Sequence, residues 1–449
     1  MDYIASRFKE LVIELTAVCC GTAPTIETFL TIVIGWILCT GRRTTSGIIR
    51  AAGHHAMKSH DVYHNFFSQS KWSIDTLWQT YFFCVVSFLS LSKTTIQLAG
   101  DDTLVKHYGK KIWGAGLYRD AVRSSRKHIA YAWGLNWVVL VLIIEVPFAH
   151  GHLIALPIYA RLNPKSATPV KKKGKGSKRK KTSVAIMVDM VTTVARWLPT
   201  SLFIFCGDGA YAGIAHLLPS NVKMVSRIRR DAALYAPPKR HRKKGTGRPP
   251  KKGKRLLSPE KKARRTAGWK LYDVVLYGKR VRRLVQQYQA LWYEVCPNQC
   301  VIIVAVKDPD AKKDTEFFFT TDLSMTAEKI IYTYTGRWPI EVVFRESKQY
   351  LGLQDSQARS KEAVLRTTPF CLWLNSFIKF WFIIDHSNAL QYTPSVDEWY
   401  PYKSTISFQD MLGSLRHQYW SHSILSMSTN NVEVDKICKH LLTVLSKVS

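Results

Sequence analysis

The sequence predicts an α/β protein, with a helical N-terminal segment followed by a mixed sheet flanked by helices. Three observations lead there. Apolar residues recur at helical spacing from Ile4 to Val18 and again from Ile26 to Ile37. From about Thr94, short apolar runs rich in β-branched residues take over, at 136–146, 152–161 and 201–206. A helical stretch at 183–198 separates the second run from the third, the alternation of a mixed α/β core.

A chain of 449 residues can hold two or three domains and at least one substantial core. With 46% apolar and 12% aromatic residues, it is not a disordered chain. Lys and Arg number 65 against 32 Asp and Glu, a net charge of +33. Such an excess repels itself in an isolated globule and suits a polyanionic partner, of which nucleic acid is the usual one. A basic ribosomal or membrane-surface protein is the plainer alternative.

No membrane or secretion signal is expected. The run from Phe29 to Leu38 is short and lies too far from the start for a signal peptide. The tract from Trp137 to Val146 leads into further apolar sequence but is interrupted by Glu145, Pro147, His150 and His152. Two consecutive strands account for it better than a span of about 20 apolar residues. The nine cysteines have no zinc-quartet spacing; Cys296 and Cys300 lack a matching pair. They read as reduced thiols of a cytoplasmic chain, with Cys84, Cys206 and Cys371 inside apolar runs.

Along the chain, residues 1–90 form a helical segment and a candidate DNA-binding domain. Within it, Thr44 or its neighbour caps a helix that starts after Arg42-Arg43 and presents a basic face; a plain surface helix is the equal alternative. Residues 91–215 make the first part of a mixed α/β core, and Ile96–Gly100 reads as a strand running into Asp101-Asp102-Thr103. Residues 216–324 form a β-rich stretch with a basic linker, with strands at 271–277, 301–306 and 316–320. Residues 325–390 return to the core, with a helical region from Met325 and a packed helix over 359–384. Residues 391–449 are a C-terminal region, with helix as its expected form.

Two stretches concentrate the charge. Residues 165–182 hold nine Lys or Arg and no acid, and residues 236–266 hold fourteen against Glu260 alone. Thr246-Gly247-Arg248-Pro249-Pro250-Lys251 partly resembles an AT-hook, whose Arg-Pro core lies in the minor groove, and marks Arg248 and Lys251 as DNA-binding candidates. A basic linker is the plainer reading.

If the partner is DNA and the chemistry is on phosphodiesters, divalent metal is the natural catalyst, because two ions about 4 Å apart activate the nucleophile and stabilise the leaving oxygen. Mg²⁺ favours a few carboxylates together with water and substrate oxygens. Acids at strand ends are therefore the candidates: Asp101 and Asp102 after one apolar run, Asp208 between Gly207 and Gly209 after another, and Glu341 in a basic and apolar helix. Singly, each has an ordinary reading as a turn or cap. Tyr334, Arg337, Glu341 and Lys348, at offsets of 0, 3, 7 and 14, would share one face of a continuous helix. Gly336 and Pro339 argue for a break, with Pro339 in the first turn of the helix carrying Glu341 and Lys348.

This spacing, Tyr334-x2-Arg337-x3-Glu341-x6-Lys348, resembles the signature of insertion-sequence transposases of the DDE superfamily. Its surroundings, Arg337-Trp338-Pro339-Ile340-Glu341, Phe344, Lys348-Gln349 and Leu351-Gly352-Leu353, look like that group too. Asp101-Asp102-Thr103 with Lys106 to Gly109 resembles the first catalytic motif, and Phe205-Cys206-Gly207-Asp208-Gly209-Ala210-Tyr211 the second. The resemblance spans roughly residues 40–385 in the family's order.

It implies an RNase H-like mixed sheet flanked by helices and interrupted by a β-rich insertion. It implies that Asp101, Asp208 and Glu341 are catalytic and bind two Mg²⁺ ions, with Mn²⁺ a substitute. Asp102 is the alternate to Asp101, which is favoured because the family's ligand is usually the first acid of such a pair. Tyr334, Arg337 and Lys348 would grip phosphates near an element's end. The implied partners are double-stranded DNA, as terminal repeats and target, and a second copy in a homodimer on paired ends. The implied setting is the cytoplasm, at a prokaryotic nucleoid.

Overall fold

The computed structural model describes residues 3–125, 127–165, 182–238, 250–276, 279–310, 312–387, 403, 405–425, 437, 438, 441, 442 and 445. Its first part is helical: α1 (Tyr3–Cys20), α2 (Ala23–Leu38), α3 (Thr45–Ala52), α4 (His60–Ser68) and α5 (Ile74–Phe88). The expected Thr44 cap is present, its side chain accepting the backbone N–H of Gly47. Helix α2 is apolar on most of its surface and is buried from Phe29 to Leu38 apart from Leu30.

The sheet begins with β1 (Ile96–Lys106), β2 (Gly116–Arg119), β3 (Tyr131–Glu145) and β4 (Leu153–Asn163). Strand β3 is buried from Gly134 through Ile144 because it lies inside the sheet, antiparallel to β1 on one side. On its other side, β4 and β2 pair antiparallel with successive stretches. The apolar tract at Trp137–Val146 is thus a central strand running to the start of the turn into β4. A bulge sets Pro157 of β4 against Val141, at a break in the ladder where a residue without an N–H is tolerated.

Helix α6 (Ser183–Trp197) crosses to β5 (Phe203–Gly207), which pairs parallel with β1, and β6 (Val222–Arg227) pairs parallel with β5. An antiparallel meander carrying two parallel strands beside β1 is the mixed sheet of an RNase H-like fold. After the short α7 (Pro259–Ala263) come β7 (Lys270–Leu276), β8 (Lys279–Ala290), β9 (Val301–Lys307) and β10 (Glu316–Thr320). They extend the same sheet, because β10 pairs antiparallel with β6 and then with β9, and the ladder continues through β8 to β7. Strand β6, inside the stretch read as insertion, is the parallel neighbour of β5.

The chain then forms α8 (Ala327–Thr335), α9 (Pro339–Tyr350), α10 (Lys361–Asp385) and α11 (Phe408–Leu425). Gly336 ends α8 and Pro339 opens α9, the break expected from those two residues. Helix α10 is long and apolar enough to cross a membrane, yet 94% of its apolar window is buried within the protein. It packs on β4 and on the N-terminal helices: Phe370 and Trp373 lie 5.0 and 5.4 Å from Phe29 of α2. Arg366 donates to the carbonyls of Ser70 and Trp72, tying α10 to the segment after α4. The N-terminal helices and the sheet therefore share one continuous core.

Helix α9 is held to α10 by a buried ion pair, Lys379 Nζ standing 2.6 Å from Glu346 Oε2. Removing one partner strands the other charge in the interior. Glu346→Ala should therefore lower the unfolding free energy by about 3–5 kcal/mol in a denaturant titration. A loss below about 1 kcal/mol would mean that water reaches Lys379 and that the pair does not anchor α9.

Candidate active site

The parallel register between β1 and β5 brings two acids together. Ala99 lies opposite Cys206 and Gly100 opposite Gly207, so each strand reaches its acid, Asp101 or Asp208, one residue further on. Gly100 is required by packing, since a Cβ there would stand 2.5 Å from Met187 Cε of α6 and 2.7 Å from the Phe205 ring. Helix α6 thus presses directly on the backbone that presents Asp101.

Side-chain alternation separates the two neighbouring aspartates. Asp101 faces α9: its Oδ2 accepts from Arg337 Nη1 at 2.9 Å, while Arg337 Nη2 donates to Glu341 Oε1 at 2.7 Å. Its Oδ1 accepts the backbone N–H of Asp102 at 2.8 Å. Asp102 points to the other face, where its carboxylate accepts from Asn136 Nδ2 at 3.0 Å and from the Tyr211 hydroxyl at 3.3 Å. Of the pair, Asp101 is the one grouped with Glu341.

Asp208 is oriented by its own turn. Its Oδ1 accepts the N–H of Ala210 at 2.7 Å, and its carbonyl accepts from Ser226 Oγ at 2.9 Å. Its charge acts on both Asp101 and Tyr334. Burial pushes the Asp101 carboxyl up to about 7; Arg337 and the Asp102 N–H oppose this, while Asp208 and Asp102 add to it. Burial also works against the Arg337 charge, but Asp101, Tyr334 and Glu341 outweigh it and hold the guanidinium above its ordinary value.

The remaining candidates take distinct places. Tyr334 is buried, with its ring 4.6 Å from Phe318 and the Arg227 and Arg337 guanidinium groups over its ring at 5.4 and 5.9 Å. Burial raises its hydroxyl to about 12 against the pull of the two arginines. Lys348 is half-buried in the last turn of α9. Lys251 is exposed, and Arg248 lies outside the described residues. Sequence reasoning missed Arg337 as the bridge between two acids, and Asn136 and Tyr211 as the partners of Asp102. A signal for Asn136 existed: it is a buried polar residue at the head of the apolar run 136–146.

Among the described residues, no three acidic, imidazole or thiol groups are drawn together closely enough to cage an ion. The donors nevertheless fit a hard divalent cation. They are carboxylates from the middle of β1, which runs on to Lys106 instead of ending at the acids, from the end of the adjacent β5 and from the facing helix, and Asp101 sits where burial and two acidic neighbours disfavour its negative charge. A cation that takes only a few protein ligands needs no closed cage.

A family model described as DDE superfamily endonuclease matches residues 19–287, well over half of the chain and inclusive of Asp101 and Asp208. The chain belongs to the DDE superfamily of endonucleases. A second family model, archaeal putative transposase ISC1217, matches residues 280–370, the segment holding Tyr334, Arg337, Glu341 and Lys348. No curated protein matches the chain. The two families together make this DDE endonuclease an insertion-sequence transposase by kinship, a nuclease-type enzyme acting on DNA. Its superfamily is in general dependent on divalent metal.

The raised Asp101 pKa has a stability consequence. A carboxyl that moves from 3.8 when unfolded to about 7 when folded contributes stability at low pH that is lost as pH rises between those values. In chelator, Asp101→Asn should melt above the wild type at pH 8, and the gap should narrow as pH falls toward 4. A wild type more stable than the variant at pH 8 would mean that the Arg337 pairing outweighs burial.

Proposed function

We propose that this chain excises a DNA element by divalent-metal-dependent hydrolysis at its ends and joins the freed 3′-OH to target DNA by transesterification. The observation that carries the reading is the grouping of Asp101 with Arg337 and Glu341 beside the strand end that presents Asp208. Asp101, Asp208 and Glu341 are the residues that would hold Mg²⁺, with Asp102 turned to the opposite face. When bound, two ions supply a lowered pKa for the attacking water or hydroxyl and charge neutralisation at the departing 3′ oxygen.

The chain's own residues do the rest by binding and orienting. Arg337 keeps Asp101 and Glu341 in a fixed relation and offers a guanidinium suited to a phosphate at the same place. Lys348 adds a cation on the same helix, and Tyr334 backs Arg337 with its ring. Displacement in line needs no covalent protein intermediate. Arg248 and Lys251 are minor-groove candidates, and the net charge of +33 suits long contact with duplex DNA. Two element ends processed together call for a homodimer, and the place of work is the cytoplasm at the nucleoid.

The test is a cleavage assay on a plasmid bearing the element's own ends, with Mg²⁺ or with EDTA. Wild type should release the element only with metal, and Asp208→Ala and Glu341→Gln should each abolish release while retaining binding to the ends. Release by either variant would overturn the three-carboxylate assignment. Binding without cleavage by the wild type would instead mark a DNA-binding protein that no longer cuts.

A further inference from the structure

Beyond the acids, β1 leads to an edge of the sheet with a different chemistry. Strand β2 is that edge, paired with β3. Along it Tyr118 is buried, while Leu117 and Arg119 face solvent. In the ladder Arg119 stands directly opposite Tyr131, and cross-strand partners share a face. Tyr131 is 57% exposed. The segment after β1 runs along the other side of the start of β3. There the His107 N–H donates to the Trp133 carbonyl at 3.1 Å, and Trp133 Nε1 donates to the Gly109 carbonyl at 3.1 Å. Between those two contacts Tyr108 stands 99% exposed.

A single exposed tyrosine needs no explanation. Two at the head of one strand, with Leu117 also exposed beside them, make an uncovered surface of the kind that marks a binding site. The surrounding charge says what covers it. Residues 107–135 hold six Lys or Arg against Asp120 alone. Asp120 is buried and paired with Lys106 at 2.6 Å, so no acid of this stretch faces solvent. Cations are enough for the phosphates of a duplex, whose base faces are hidden in the stack. Exposed aromatic rings within a basic frame offer something more, a face on which an unpaired base stacks. Lys106 already lies five residues past Asp101, about 16 Å along the strand, so the bases concerned are not those at the cut.

We infer that Tyr108 and Tyr131, framed by Arg119, form a stacking platform for single-stranded DNA, separate from the three acids. Each ring takes the face of one unpaired base, and Arg119 takes a phosphate of the same strand. The platform is sequence-tolerant, since every base has a π-face. This rests on the transposase reading only for DNA as the ligand. It adds a second form of that ligand, an unpaired strand, to the duplex of the element's end.

The experiment reads fluorescence anisotropy of the full chain in EDTA across a salt titration. The probes are a labelled oligothymidylate of about 12 nucleotides and a mixed-sequence duplex of the same length. Tyr108→Ala and Tyr131→Ala should each weaken single-strand binding about five- to a hundredfold, with duplex binding within about twofold of wild type. The slope of log K against log salt should not change in either, because stacking displaces no counterion. Tyr108→Phe and Tyr131→Phe should bind the single strand as wild type does. Arg119→Gln should lower the single-strand slope by about 0.7, the value for one lost phosphate contact. Equal losses on single strand and duplex would overturn the platform. Unchanged single-strand binding in both alanine variants would overturn it too, and a concurrent fall from dimer to monomer would give the patch to a second copy. Binding is read without cleavage, so a wild type that fails to cut leaves this test intact. A wild type that cuts but shows no tyrosine-dependent binding sinks the platform alone. Thermal melts identify any variant that misfolds, and Tyr108→Leu and Tyr131→Leu, which keep bulk without a π-face, then carry the same readout.

Discussion

The parallel pairing of β1 with β5 is the constraint on which the rest of the site depends. It sets Asp101 and Asp208 one step beyond Gly100 and Gly207 on neighbouring strands, bringing two negative charges together at the edge of the core. Burial makes that costly, as the raised Asp101 pKa records. Arg337 offsets the cost by bridging Asp101 to Glu341, so the helix break at Gly336–Trp338 has an electrostatic purpose. It turns the chain so that Arg337, before the start of α9, and Glu341, in its first turn, meet the aspartate of β1 together.

Holding α9 at that position is the work of the interior behind it. The Glu346–Lys379 pair ties α9 to α10, and α10 is packed against β4 and the aromatic side chains of α2 and α4. Residues far from the acids therefore bear on their geometry through a rigid, close-packed path. The N-terminal helices belong to this support.

Much of the fold was legible because its elements follow local rules. The helices of the first ninety residues, the cap at Thr44, the buried strands β3 and β5 and the start of α9 at Pro339 all fall where periodicity and capping place them. Strand β8 was not foreseen, because Lys279, Arg280, Arg282 and Arg283 hide the alternation of its first half; there Val281 and Val285 face a core that β7 and β9 complete. Strand β6 was hidden for a different reason: it is short, and its pairing with β5 is a long-range choice that no local pattern encodes.

The same division holds at the site. Sequence by itself determined the residue types and spacing: acids following two apolar runs, Arg337, Glu341 and Lys348 in order around a helix start at Pro339, and a charge excess that calls for a polyanion. Those features are local in the chain and need only its chemistry to be read. Tertiary structure decided which acid of the Asp101-Asp102 pair faces Glu341, that Arg337 spans two carboxylates, and that Asn136 and Tyr211 hold Asp102 on the opposite face. These are contacts between side chains as many as 236 residues apart, and only the folded sheet, through its register and the alternation of its faces, sets which of them come within reach.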